Sequence, residues 1–359
     1  MRRVGKFPSP FSCDEEGLCV FLGQRARVFA CPTVAAMARY LLRRFWQSLL
    51  VLFGISIIIF IILHLTGDPA LLLLPPDATK EDIENFRNLM GFNDPLFVRW
   101  PPWEFFHPPW RFLADTQYGR YFLGVMHGDF GNSLRHQQPA MGLVLERMPA
   151  TVELTLAAMG LAVCVAVPIG VLSAVRRNTV LDHAGMVLAL LGQSMPVYWL
   201  GIMFILLFAV QWRLLPAFGS GSVTHLILPG ITLGAFSMAR IARLTRSGML
   251  EVLGQEYVRT ARAKGVSERR VVLKHALKNA AIPVITVVGL DLGTLLGGAV
   301  ITETIFAWPG VGRLAVQAIA NRDYPVVQAA VFVLAVVFVL INFLVDVLYT
   351  YVDPRVAYK

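Results

Sequence analysis

Long stretches without a single Asp, Glu, Lys or Arg set the rhythm of this chain. Residues 47–65, 154–175 and 184–211 carry no such charge. Residues 214–239 carry none either, but Pro216, Pro229 and several glycines interrupt them, which sets a fourth helix at about 226–248 with its last turns leaving the bilayer. Residues 280–301 contain one charge, Asp291, and residues 325–345 contain none. Crossing ~30 Å of hydrocarbon takes about 20 predominantly apolar residues in a helix. The pattern therefore predicts six transmembrane helices in an all-α integral membrane protein, with a sizeable loop between the first two spans.

Composition agrees. Of 359 residues, 56% are hydrophobic and 15% charged, against about 25% charged in ordinary soluble domains. Disorder, a secreted disulfide scaffold and a coiled coil are disfavoured by the same figures. The formal net charge of +9 could mark a nucleic-acid surface or the basic bias of cytoplasmic loops. Position decides between them. Arg39, Arg43 and Arg44 precede the first span, and Arg176 and Arg177 follow the second. A cluster from Arg240 through Arg270 to Lys278 ends or follows the fourth, and Arg355 and Lys359 follow the sixth. With alternating spans all of these fall on one side, which places both termini in the cytoplasm. No basic patch interleaved with aromatics is present in these loops, so no nucleic-acid partner is expected.

The domain reading is a variable extension over 1–36, a first span over 37–66, a periplasmic loop region over 67–150, and a core over 151–359 with five spans and a cytoplasmic loop at 251–279. The extension lacks the apolar core of a signal peptide. Met37 opens a segment that reads as a natural start, so 1–36 is expected to be disordered or to come from a misassigned start. Cys13, Cys19, Cys31 and Cys164 lie in the extension and in one span, and no disulfide or metal site is expected from their spacing.

Motifs for chemistry within the chain are missing: no G-x-x-x-x-G-K-[ST], no H-E-x-x-H, no G-x-S-x-G. Neither catalytic, cofactor-binding nor metal-binding residues are assigned. Asp291 is the charge at mid-span, where it must face the bundle interior, a polar cavity or a partner. Both a pathway-lining role and a structural hydrogen bond to a neighbouring helix remain open for it. His64, Glu153, Glu303 and Asp346 lie near span ends, where water is expected close by.

The loop at 251–279 is the most informative segment. Residues 251–264 are helix-compatible, Gly265 breaks them, and Ser267 with Glu268 suits the start of a second helix. Val272, Leu273, Ala276 and Leu277 give that second helix an apolar face, while Arg270, Lys274 and Lys278 line another. Two short helices jointed at a glycine are expected, with the apolar ridge free to enter a groove on a soluble partner.

Here the sequence resembles a known family. Tyr257-Val258-Arg259-Thr260-Ala261-Arg262-Ala263-Lys264-Gly265, continuing through Arg270, His275, Leu277 and Lys278, looks like the EAA loop of ABC importer permeases. Ala261 takes the second alanine of that pattern, Gly265 its glycine and Leu277 its leucine. Arg259, Thr260, His275 and Lys278 depart from it, in the style of the dipeptide/oligopeptide/nickel branch. Gly67-Asp68-Pro69-Ala70, His127-Gly128-Asp129-Phe130-Gly131-Asn132-Ser133, Arg147-Met148-Pro149-Ala150-Thr151, Ser194-Met195-Pro196-Val197-Tyr198-Trp199-Leu200-Gly201 and Glu303-Thr304-Ile305-Phe306-Ala307-Trp308-Pro309-Gly310-Val311-Gly312 resemble further segments of that branch, in order, over about 37–359.

The resemblance implies a type I importer permease fold in a bacterial inner membrane. It implies a second homologous permease, two cytoplasmic ATPases that bind the ATP and magnesium, and a periplasmic solute-binding protein. Gly265 would make the turn, with Ala261 and Leu277 packing into the ATPase cleft and Arg259, Thr260, Arg262, Arg270 and His275 at the same interface. Asp291, Met195, Tyr198 and Trp199 would line the pathway for di- or oligopeptides or related small solutes. A stand-alone secondary transporter or channel is the rival reading; it predicts an inverted repeat and several buried acids, of which one mid-span acid is evident. The Trp- and Pro-rich stretch 100–117 looks inserted relative to the branch. If the chain starts naturally at Met37, intact mass of the natively expressed protein will lack residues 1–36; a species carrying them all overturns the misassigned start.

Overall fold

In hydrocarbon every backbone N–H and C=O must be satisfied within the protein, which selects helices for an apolar chain. The computed structural model has five helices long and apolar enough to cross a membrane, and a bent helix pair that makes a sixth crossing if counted as one span. It describes residues 12–13, 18–20, 29–30, 34–66, 79–90, 93–97 and 116–352. Among these residues the helices are α1 (Val34–Thr66), α2 (Lys80–Met90), α3 (Gln117–His127), α4 (Ala140–Val175), α5 (Val180–Ser194), α6 (Val197–Phe204), α7 (Val223–Leu253), α8 (Glu256–Ala263), α9 (Glu268–Ile305), α10 (Val311–Ala320) and α11 (Tyr324–Val352).

Two compact units result, one of Met1–Val51 with Asn342–Lys359 and one of Leu52–Ile341. In the first, Ser12–Cys13, Leu18–Val20 and Phe29–Ala30 form a small antiparallel sheet with the strands in sequence order. α1 opens at Val34, before Met37. Arg44 pairs with Asp346 (Nε–Oδ2 3.3 Å) and lies over the Tyr40 ring.

The second unit is built around α4 and α7. Their contact is lined by small residues, the usual device for close approach of membrane helices. A Cβ on Gly234 would lie 2.7 Å from the Ala158 carbonyl oxygen, and one on Gly170 would lie 2.6 Å from Thr245 Cβ. Leu154, Ala158, Ala162, Leu233 and Ile241 bury the centre of this pair, joined by Val284, Leu295 and Ala299 of α9.

The third expected span is not continuous. Between α5 and the segment Val197–Gln211 the axis bends by 112°. Met195 is extended (φ −86°, ψ 134°) because it precedes Pro196, and Pro196 starts the next helix without an N–H to give. The absence of charge from 184–211 reports burial in an apolar medium but carries no information about a bend.

At the far end of α9 the chain is stitched by Glu303. Its side chain is fully buried, contrary to the water-exposed position expected for a span end. Thr151 Oγ1 donates to Glu303 Oε1 (2.7 Å) and accepts from Val311 N (2.8 Å), while Arg313 N donates to Glu303 Oε2 (2.9 Å). Trp308 Nε1 donates to the Ala150 carbonyl at 2.8 Å. Gly310 is required here, since a Cβ would lie 2.2 Å from the carboxylate. Thr151→Val removes both hydroxyl bonds and leaves a buried N–H unpaired. It will cost about 2 kcal/mol, read as a lowered unfolding temperature in detergent, whereas Thr151→Ser will stay near wild type.

Candidate functional site

Polar side chains converge at the opposite end of α9, around Gly265. α7 stops at Leu253, and α8 starts only at Glu256. The single helix expected over 251–264 is therefore interrupted at Gly254 and Gln255, where glycine lowers helix propensity. α8 then ends at Gly265, which has φ +75°. Nothing lies within 4 Å of a Cβ built there, so glycine is favoured by the left-handed backbone and not by close approach within the chain. Val266 N closes the turn onto the Ala261 carbonyl at 3.3 Å. Arg262 grips Glu268 across it with two bonds, 3.1 and 2.7 Å, which raises the guanidinium's pKa above its usual value. Ser267 occupies the N-cap position of α9, but its hydroxyl makes no capping bond.

The second helix of the expected pair is not a separate element. Glu268–Ile305 is one rod, passing through a π-helical segment at Val271–Ala276. The apolar ridge expected to enter a partner is largely covered within the chain: Val272 and Ala276 are buried with Val171, Ala174 and Met249, and Leu277 packs on the same cluster. Leu273 remains half exposed. An apolar helical stripe identifies a buried face but not what buries it, and the chain's own helices supply the cover.

The remaining loop residues fall into two sets. Val258, unmarked by the sequence reading as an anchor, is fully buried and seats α8. Tyr257 bridges α8 to α9: its hydroxyl accepts from Asn279 Nδ2 (2.6 Å) and donates to the His275 carbonyl (3.4 Å). Arg259, Thr260, Arg262 and Arg270 stay exposed. Arg259 pairs with Glu256 one turn back (2.8 Å), and Thr260 Oγ1 donates to the Glu256 carbonyl.

Asp291 sits midway along Leu277–Ile305 and is nearly sealed from the surface. Arg240 Nη1 of α7 donates to its Oδ1 at 2.8 Å. Its carboxylate thus faces a neighbouring helix rather than open space. Met195 lies at the α5–α6 break, and Tyr198 and Trp199 are exposed at the start of α6. None of these three shares a hydrogen bond with Asp291 among the described residues.

Two pairings went unread in the sequence. Arg246 of α7 holds the buried Asp182 of α5 with two bonds, 2.6 and 2.8 Å. Ser133 Oγ and Leu134 N both donate to Asp323 (2.5 and 3.2 Å), which anchors the 127–133 segment to the turn before α11. Each partner lies dozens of residues away or more, and no local pattern links them. Of the stretch 100–117, Thr116 caps α3 and Gln117 begins it; 100–115, like Gly67-Asp68-Pro69-Ala70, lies outside the described residues.

Since Tyr257 ties α8 to α9 by two bonds, each worth roughly 1 kcal/mol, Tyr257→Phe will speed hydrogen exchange of the 256–263 amides about fivefold or more while leaving the unfolding temperature of the bundle unchanged.

Comparison with known proteins matches residues 166–358 to the family described as binding-protein-dependent transport system inner membrane component. Residues 37–155 match the corresponding N-terminal component. The chain is 43% identical over 351 residues to the dipeptide transport system permease protein DppB of Alkalihalophilus pseudofirmus, covering 90% of this chain and 100% of that one. It is 41% identical over 324 residues to the glutathione transport system permease protein GsiC of Salmonella paratyphi A, with the same coverage. Among solved structures it resembles the inward-facing MetNI methionine ABC transporter, at 23% identity and a TM-score of 0.49, over 59% of this chain and 97% of that one. Permeases of this kind act with ATPase, binding-protein and second permease subunits. The chain belongs to the family of inner-membrane components of binding-protein-dependent transport systems, as a multi-pass, non-enzymatic permease subunit of an ABC importer.

Proposed function

We propose that this permease imports peptides, pairing with one homologous permease to enclose the pathway and receiving force from two cytoplasmic ATPases through the 251–279 loop. The relatives named for dipeptides and for glutathione carry solutes of one chemical class: short, flexible, with free carboxylates. A periplasmic binding protein would deliver them. Both termini and the Gly265 turn then lie in the cytoplasm, following the basic loops, and the Glu303 end lies toward the periplasm. No catalytic group or cofactor is assigned to this chain; ATP and magnesium would be held by the ATPases.

The observation that carries this reading is the Gly265 joint. α8 presents Arg259, Thr260 and Arg262 outward while Val258 and Tyr257 fasten it to α9. A force applied to α8 would thus reach a helix that runs unbroken to Ile305. Coupling needs an element with two discrete positions rather than a soft loop, and a short helix bonded to a long one meets that need. The docking surface so defined is the exposed face of α8 with Arg270 and Leu273. Ala261 and Leu277, expected from the resemblance to enter the ATPase cleft, would instead support that surface from behind.

A tagged chain purified in mild detergent will bring a second permease and two ATPases with it. Gly265→Asp, which puts a negative charge onto the docking face, will abolish peptide uptake and the stimulation of ATPase activity by the loaded binding protein. Gly265→Asn, whose side chain tolerates φ > 0, will retain most of both. Uptake and stimulation persisting together in Gly265→Asp would remove the coupling assignment.

A further inference from the structure

Besides the Arg246 that holds Asp182, α7 carries two more arginines on one face. Phe236, Arg240, Arg243 and Ser247 are spaced four, three and four residues apart, which puts them on one side of the helix. Phe236, Arg243 and Ser247 are exposed and Arg240 half-buried, while Leu233, Ile241, Ala242, Thr245 and Met249 are buried. The Arg240 guanidinium lies 5.0 Å over the Phe236 ring. One turn on, Arg243 donates from Nη2 to Gln193 Oε1, just before the α5–α6 break.

Arg240 is bonded to Asp291 midway along Leu277–Ile305, and ionisable side chains at such depth face the bundle interior or a water-filled cavity. Arg240 has a second distinction. Its side chain keeps 40% exposure, while the Asp291 side chain bonded to it keeps 2%. The acid is thus the backing and the guanidinium the presented group. Among the described residues only Nη1 of this five-donor fork is used. Asp291 Oδ2 is buried with no hydrogen-bond partner, so Asp291 holds its arginine by one oxygen and leaves the rest of the fork available. On α9, Leu290, Thr294 and Gly297 are also exposed, at helical spacing.

We propose that Arg240, backed by Asp291 and continued by Arg243, is a binding station in the translocation pathway for the carboxylate of the passing solute. The inference rests on the peptide-import reading and names the group on the peptide that is recognised. A guanidinium fork matches a carboxylate in plane and can bond it twice. Asp291 keeps the guanidinium from being a bare cation. It sets the side chain's position, and its negative charge weakens the grip, so that the solute leaves as readily as it enters, a requirement for any conducting site. Phe236 adds an apolar flank beside the charge.

The test uses the whole transporter, with its ATPases and binding protein, reconstituted in proteoliposomes and offered a set of labelled dipeptides. Arg240→Gln alone leaves a buried acid unpaired and can fail to assemble, so the informative variant is Arg240→Gln with Asp291→Asn, which replaces the ion pair by a neutral hydrogen-bonding pair. Assembly is checked by size-exclusion chromatography. The expected result is an assembled complex whose dipeptide uptake falls about tenfold, the loss of one charge-assisted hydrogen bond. Uptake restored to wild-type rate in the double variant would mean the pair is structural only and would overturn the proposal. Separately, Arg243→Cys in a chain with its four cysteines changed to serine will react with a water-soluble thiol reagent, faster with an anionic than with a cationic one, and more slowly in the presence of dipeptide. An unreactive Arg243→Cys, or one indifferent to reagent charge, would overturn it too. If the unaltered complex imports none of the dipeptides, the peptide reading itself falls and this inference with it; import by the unaltered complex with an undiminished double variant removes the inference alone.

Discussion

An ionised group in hydrocarbon that lacks a partner is too costly for a folded span to carry, and that constraint organises this chain. α9 contains three acids, Glu268, Asp291 and Glu303, and each is answered by a different element. Arg262 of α8 meets Glu268, Arg240 of α7 meets Asp291, and Thr151 of α4 with the Arg313 amide meets Glu303. α9 is therefore tied along its length to four other helices, α8, α7, α4 and α10. Asp182 and Arg246 apply the same rule between α5 and α7. The apolar runs let the spans exist; the charges fix which span stands beside which.

The Glu303 knot also accounts for segments that looked like mere signatures. The Met148-Pro149-Ala150-Thr151 and Trp308-Pro309-Gly310-Val311-Gly312 segments are far apart in sequence, yet Thr151 and the Ala150 carbonyl meet Glu303, Trp308 and Val311 directly. The residue types follow from that geometry. Thr151 supplies one hydroxyl that donates to the acid and accepts from a buried N–H. Trp308 fills space while its indole N–H reaches a carbonyl. Gly310 leaves room for a carboxylate that nothing larger could approach.

What could be read beforehand, and what could not, follows from range. The spans were legible because composition over some twenty residues is a local property, and five of the six expected crossings are single helices, although those over 154–175 and 280–301 open well before the expected starts, at Ala140 and Glu268. The joint at Gly265 was legible because a break between two amphipathic stretches is local as well, though its physical reason, a left-handed φ, was not. The bend before Pro196 was signalled by the proline but hidden by a criterion that counted only charge. The identity of each acid's partner was illegible: Asp291 and Arg240 are separated by 51 residues, and only the packing of α7 on α9 brings them together. The apolar ridge of 272–277 failed in the same way, since amphipathicity marks a face without naming its cover.

These ties are graded along α9, and the grading bears on how the helix can move. Glu268 meets Arg262 with both side chains substantially exposed, so water and salt screen the pair and it contributes little to holding the helix. Asp291 is nearly sealed but bonded through one oxygen, to a guanidinium that is itself partly open. Glu303 is fully enclosed and bonded through both oxygens. Displacing α9 therefore costs least at its Glu268 end and most at its Glu303 end. The π-helical segment lies between Glu268 and Asp291, where the i→i−4 ladder is already relaxed and local rearrangement is cheapest. A rod held firmly at one end and loosely at the other pivots rather than slides. Such a pivot about the Glu303 knot would turn a push on α8 into its largest displacement near the Gly265 turn and a smaller one at Asp291.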